Sequence, residues 1–132
     1  MATSYQRQFG NVLLDHYQHP RNVGRLPTDN THTGTGTAGT ASEGGMVRLQ
    51  LRVDASGIIE DTRFKAYGCG ATIAAASWLS EAIKGKTADQ AQKLGGQAIA
   101  DALQLPPGKL HCAFLAHEAL ENALANYTDK QE

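Results

Sequence analysis

The clearest pattern of hydrophobic and polar positions is a strict alternation between Met46 and Val53, typical of a half-buried β-strand. The apolar residues that share its inner face are Val47, Leu49, Leu51 and Val53. Turn-forming residues at 54–57 lead into a second run with strand character, Ile58 to Tyr67. These two runs predict an antiparallel hairpin, and a further strand before residue 46 would complete a small sheet of about three strands.

Helical spacing precedes and follows this hairpin. From Tyr5 to Gln18 the apolar positions predict an amphipathic helix that ends before Pro20. Its predicted apolar face consists of Phe9, Val12, Leu13 and Tyr17. After Gly70 the pattern becomes helical again and continues to Gly85, so that Cys69 lies where a strand is followed by a helix.

The last third of the chain is predicted to be helical. Thr87 and Gln90 form a capping box for a helix that runs to Gly95-Gly96, and Ala98 to Leu103 predicts a short one. A final helix follows Pro106-Pro107, with a buried stripe of Ala116, Ala119, Leu120, Ala123, Leu124 and Tyr127. This order of elements predicts an α+β fold in which helices pack on one face of a small antiparallel sheet.

The segment from Pro27 to Gly45 is rich in Gly and Thr and has no apolar periodicity. We predict a long loop of 19 residues that borders the functional site. Residues 34–39 satisfy the GxGxxG pattern literally, but they follow a polar stretch instead of a strand and open no helix. A dinucleotide-binding function is therefore not indicated.

Composition limits the classes of function. The 132 residues fit one domain, 1–132, with 41% hydrophobic and 19% charged residues. Lys and Arg number 12 against 13 Asp and Glu, without a basic stripe, so nucleic acid is not an expected partner. Neither a signal-peptide apolar region nor a run of about 20 apolar residues occurs, so we expect a cytoplasmic protein without a membrane partner.

Cys69 is the first candidate for chemistry. The chain has only two cysteines, too few for a disulfide framework, and a reducing compartment keeps them as thiols. Gly68 and Gly70 allow a tight turn around Cys69, and a helix that begins just after it favours the thiolate. The alternative is a small buried hydrophobic residue, a common role for free cysteine.

His111 and Cys112 form a second candidate pair at the start of the last helix. With Cys69 they supply three ligands for a soft metal or an iron-sulfur cluster, and Glu43 is the acidic residue placed to be a fourth. The alternatives are a surface or core histidine and a solvated loop carboxylate. HExxH, CxxC, GxSxG and Walker motifs do not occur, so a stand-alone enzyme is not expected.

Three segments carry a resemblance to a known family: Asp15 to Gly24, Phe64 to Gly70, and Leu105 to Cys112. In their order and context they resemble the iron-sulfur cluster assembly scaffolds of the IscU type, also found as the N-terminal domain of NifU. The resemblance covers nearly the whole chain and implies the α+β fold of those scaffolds. It implies a protein that assembles a 2Fe–2S cluster, or binds iron, and passes the cluster to apo-proteins.

The resemblance also assigns the ligands. Cys69 and Cys112 match the family's second and third cysteines, and His111 matches its histidine. Glu43 stands where the first cysteine belongs and Gly45 where the family has an aspartate, so a weaker or altered site is expected. A set of Glu43, Cys69, His111 and Cys112 satisfies zinc in the isolated protein and is able to hold iron or an unusual 2Fe–2S centre.

The partners that the resemblance implies are a cysteine desulfurase, apo iron-sulfur proteins and an Hsp70-type chaperone. The chaperone is expected at Leu105 to Lys109, although Gly108 replaces the usual valine. The alternative function is a scaffold without a cluster that binds zinc or no metal and regulates the desulfurase or chaperone by docking. The missing first cysteine motivates this alternative.

Overall fold

The computed structural model describes residues 11–28 and 30–131, in which helices pack against a three-stranded sheet. This arrangement confirms the predicted α+β class. The strands are β1 (Thr33–Thr40), β2 (Gly45–Val53) and β3 (Ile59–Tyr67). The helices are α1 (Asn11–Gln18), α2 (Gly70–Ala82), α3 (Ala88–Gln92), α4 (Gly96–Leu103) and α5 (Leu110–Lys130), with short 3-10 helices at Ala41–Glu43 and Pro107–Lys109.

The sheet is antiparallel throughout, with β2 at its centre. The predicted inner face of β2 is confirmed, because Val47, Leu49, Leu51 and Val53 are all buried. On the outer face Gln50 is also buried: its side-chain amide bonds the backbone N–H and C=O of Leu26. The segment around Leu26 therefore covers the middle of the face opposite the helices.

The prediction of a loop from Pro27 to Gly45 is wrong over Thr33–Thr40, because these residues form β1. Helix α5 lies directly on the backbone of this strand. A Cβ added to Gly36 would lie 2.1 Å from Ala123 N and 2.3 Å from Ala119 O. The inner positions of β1 must therefore be small, and this requirement removes the apolar alternation by which a strand is normally recognised.

The described part of the N-terminal helix, α1, begins at Asn11, and the rest of the predicted Tyr5 to Gln18 helix lies outside the described residues. Its buried side chains are Leu13, Leu14 and His16, whereas Val12 and Tyr17 are exposed, contrary to the predicted apolar face. His16 Nδ1 lies 2.7 Å from the Ser77 hydroxyl of α2. A buried polar contact thus takes part in orienting α1, and apolar spacing cannot reveal it.

The C-terminal helices follow the predictions closely. Thr87 and Gln90 form both hydrogen bonds of the capping box, although α3 ends at Gln92, earlier than predicted. α4 contains the predicted short helix, and α5 buries the predicted stripe except Tyr127, which is half-buried. Among the described residues, no helix combines the length and apolar character that a membrane crossing requires.

Candidate functional site

The candidate site is an open cavity of about 240 Å³ at the end of the sheet where β1 turns into β2 and β3 leads into α2. Glu43, Cys69 and His111 line it together, with Thr72 and Leu115. A larger cavity, about 440 Å³, lies at the opposite end of the sheet and contains no cysteine. The structure therefore brings three of the four predicted site residues to one cavity and places the fourth, Cys112, beside it.

The two cysteines differ in exposure although they are close in space. Cys69 is the N-cap of α2 and is exposed, whereas Cys112, in the first turn of α5, is fully buried. Their Sγ atoms lie 3.7 Å apart, and both thiols are free. Two cysteines 43 positions apart in the chain thus place their sulfur atoms side by side, one lining the cavity and the other buried beside it.

Thr72 is a site residue that the sequence analysis missed. Its hydroxyl donates to Cys112 Sγ at 3.4 Å and lies 3.6 Å from Cys69 Sγ. The sequence did contain a signal for Thr72. It is the third residue of α2, and the side chain of a helix N-cap residue, here Cys69, faces that position. Thr72 therefore links the two sulfurs.

The thiols have opposite pKa shifts. Partial burial raises the pKa of Cys69, but the backbone N–H and hydroxyl of Thr72, with smaller contributions from Cys112 and the Ala71 N–H, lower it to about 7. Burial raises the pKa of Cys112, and the nearby Cys69 adds to this effect while Thr72 opposes it. Near neutral pH the exposed sulfur is therefore substantially a thiolate and the buried one a thiol.

His111 and Glu43 are the other two predicted ligands, and both are exposed. His111 Nε2 lies 3.6 Å from Cys112 Sγ, so the imidazole is next to the sulfur pair. Glu43 ends the short helix between β1 and β2 and lines the same cavity. Within residues 11–28 and 30–131, no three His, Cys, Asp or Glu side chains are positioned to hold a metal ion.

Residues 8–132 match the family described as NifU-like N terminal domain. The chain belongs to the IscU/NifU family. It is 44% identical over 124 residues to the iron-sulfur cluster assembly scaffold protein IscU of Escherichia coli (strain K12), covering 94% of this chain and 97% of that protein.

A second relative is the mitochondrial iron sulfur cluster assembly protein 1 of Debaryomyces hansenii, which is 45% identical over 132 residues, covering 99% of this chain and 74% of that one. Among solved structures, a putative SUF-system scaffold from Fervidobacterium islandicum AW-1 has a TM-score of 0.69 at 21% identity, covering 92% and 99% of the two chains. A NifU-like N-terminal protein from Brucella abortus has a TM-score of 0.67 at 16% identity, covering 97% and 99%. These structures support the IscU/NifU fold.

Glycines set the shape of this IscU/NifU site. Gly68 has φ +140°, and a Cβ there would lie 3.1 Å from the Gly44 carbonyl oxygen. A Cβ on Gly70 would lie 3.1 Å from the ring of Tyr17, which brings the Asp15 to Gly24 motif beside Cys69. The two glycines that flank Cys69 are therefore explained by close contacts with the 44–45 turn and with α1.

We expect the alkylation rate of Cys69 by iodoacetamide to rise with pH through a midpoint near 7, because its pKa is about 7 and only the thiolate reacts. At pH 7 an ordinary thiol is only a few per cent ionised. Cys69 is therefore ionised to a larger fraction, but a thiolate of lower pKa is also a weaker nucleophile. The net expectation at pH 7 is an alkylation rate roughly fivefold higher than that of an ordinary thiol. The measurement is alkylation of each cysteine by peptide mass spectrometry across pH 5–10.

The matched variant for this titration is Thr72→Val, which keeps a branched side chain but removes the hydroxyl near Cys69. Its midpoint is expected to move to higher pH, with Cys112 slow in both proteins because it is buried. A wild-type midpoint near that of an ordinary thiol, or no difference between the two proteins, would contradict the assignment of Thr72.

Proposed function

We propose that this protein is an iron-sulfur cluster assembly scaffold or carrier that holds iron or a 2Fe–2S cluster as cargo. The observation that carries this proposal is the pair of free thiols 3.7 Å apart, next to His111 and beside an open cavity that Cys69 and His111 line. Two relatives over most of the chain bear cluster-assembly names, which supports the same function. The proposed binding residues are Glu43, Cys69, His111 and Cys112.

The donor set suits this cargo. Two thiolates are the ligands that iron-sulfur clusters prefer, and an imidazole and a carboxylate complete a mixed set that iron and zinc accept. Cys69 is exposed and has the lower pKa, so we expect it to receive iron or sulfur first. Cys112 has a raised pKa, and binding of the metal must displace its proton.

The proposed partners follow from this role. A cysteine desulfurase supplies sulfur to the exposed Cys69, and apo iron-sulfur proteins in the cytoplasm receive the cluster. An Hsp70-type chaperone is proposed to bind Leu105 to Lys109, where Pro107 and Gly108 are exposed on the surface. A turn of 3-10 helix at Pro107–Lys109 joins this segment directly to α5, and thereby to His111 and Cys112.

Anaerobic reconstitution tests the proposal. The purified protein is incubated with ferrous iron, cysteine, a cysteine desulfurase and dithiothreitol, which reduces the transferred sulfur to sulfide, and its visible absorption, iron and acid-labile sulfide are measured. We expect a coloured protein that contains iron and sulfide and converts an apo-ferredoxin to its holo form. A colourless protein under these conditions, with the desulfurase active, would contradict the proposal.

A regulator that docks without carrying a cluster is the second candidate. It is favoured by the absence, in the part of the chain that the structure describes, of three side chains positioned for a metal ion. Glu43 and Gly45 in place of the family's cysteine and aspartate favour it as well. Desulfurase binding that survives simultaneous replacement of Cys69, His111 and Cys112, without any cluster transfer by the wild type, would support this function.

A further inference from the structure

The sulfur pair has a second chemical capability that does not need a metal. The Cys69 and Cys112 Sγ atoms are 3.7 Å apart, close to van der Waals contact. A disulfide bond is about 2.0 Å long, so the sulfurs need to approach by roughly 1.7 Å. Cys69 lies between Gly68 and Gly70 at the exposed end of α2, and it is the residue able to make this movement.

The difference in exposure assigns separate roles to the two thiols. Cys69 is accessible to a molecule in solution, whereas Cys112 has no exposed surface. An external disulfide therefore reaches only Cys69. Cys112 in turn has one sulfur within reach, that of Cys69, which makes an intramolecular disulfide favoured over a link between two copies of the chain.

We infer that Cys69 and Cys112 form a reversible intramolecular disulfide by exchange with small disulfides such as oxidised glutathione, which closes the site to iron and sulfide. In the first step the Cys69 sulfur attacks one glutathione sulfur, which forms a mixed disulfide and releases one glutathione thiol that takes the proton from Cys69. In the second step the Cys112 sulfur attacks Cys69 Sγ, and the second glutathione leaves with the proton from Cys112. Two protein thiols are oxidised and one glutathione disulfide is reduced.

The inference that the disulfide closes the site rests on the proposed function. Both thiolate ligands are consumed by the disulfide bond. The donors that remain are the oxygen of Glu43 and the nitrogen of His111, which do not hold a cluster of the thiolate type. Reduction by a dithiol restores both thiols. The protein would thus accept cargo only while its surroundings keep the pair reduced.

The test treats the reduced, full-length protein with oxidised glutathione and measures its intact mass. The expected product is lighter by two hydrogen atoms and carries no glutathione. A tryptic digest without reductant should contain residues 66–84 linked to residues 110–130, because no Lys or Arg interrupts either peptide before its last residue. This mapping uses the wild-type protein and does not depend on the folding of a variant.

Two variants separate the roles of the thiols. Cys112→Ala is expected to retain glutathione on Cys69, because the resolving thiol is missing. Cys69→Ala is expected to remain unmodified, because the buried Cys112 does not meet the reagent. A wild-type protein that keeps a stable glutathione adduct, stays unmodified or becomes a disulfide-linked dimer would overturn the inference.

The same samples, reduced and oxidised, are then desalted and incubated anaerobically with ferrous iron alone, because cysteine or sulfide would reduce the disulfide by exchange. Iron bound by the reduced sample only supports both the disulfide and its effect on the site. A disulfide in the oxidised sample with no iron bound by either one supports the exchange reaction and rejects the proposed function. Equal iron in the disulfide-containing and reduced samples overturns the inference that the disulfide closes the site.

Discussion

Gly36→Ala is expected to lower the free energy of unfolding by about 3 kcal/mol, at the upper end of the usual cost of overpacking. The added methyl would fall 2.1 Å from Ala123 N and 2.3 Å from Ala119 O. Both atoms belong to the backbone of α5, so no side-chain rotation can relieve the overlap, and the helix must move away from the sheet. Thermal unfolding followed by circular dichroism should show a midpoint lower by roughly 10 °C.

Gly108→Ala is the control for this prediction. No atom lies within 4 Å of the Cβ position of Gly108, so the free energy of unfolding should change by less than about 0.5 kcal/mol. Equal stability of the Gly36 and Gly108 variants would show that the contact between β1 and α5 is looser than the structure describes. The control also introduces alanine in place of glycine, and it thereby accounts for the change in backbone entropy.

The contrast between β2 and β1 shows why part of the fold is readable from the sequence. In β2 the side chains themselves fill the core, so burial appears as alternation of apolar and polar residues. In β1 the core is filled by the α5 backbone, and Gly34 and Gly36 leave the necessary space. The requirement for small residues comes from a partner about 85 residues away, which no local pattern contains.

The candidate site, like the fold, can be predicted only in part from the sequence. The positions of Cys69 before α2 and of His111 and Cys112 at the start of α5 follow from local helix signals, which the structure confirms. The separation of the two sulfurs and the role of Thr72 depend on how α2 packs against α5. Local signals therefore predict which residues lie at helix starts, whereas tertiary packing decides which of those starts meet.

Cys69→Ala is expected to abolish the colour formed on anaerobic reconstitution, whereas Glu43→Gln should weaken it in a graded manner. Cys69 supplies one of the two sulfurs at the cavity, and the remaining donors cannot replace a thiolate for iron and sulfide. Glu43→Gln keeps an oxygen donor but removes its charge, which we expect to reduce iron affinity on the order of 10-fold, comparable to losing a supporting group of a metal site. The measurement for both variants is the amount of iron and of acid-labile sulfide that the protein retains after desalting.

Glu118→Gln is the matched control for Glu43→Gln, because Glu118 is an exposed carboxylate of α5 that does not line the cavity. Its iron content should equal that of the wild type. Cys69→Ala should retain wild-type circular dichroism, since Cys69 is exposed and its removal opens no cavity in the core. Full colour in Cys69→Ala would exclude the sulfur pair as the binding site, whereas an unchanged Glu43→Gln would remove Glu43 alone from the ligand set. The two variants therefore separate the contribution of the Cys69 thiol from that of the Glu43 carboxylate.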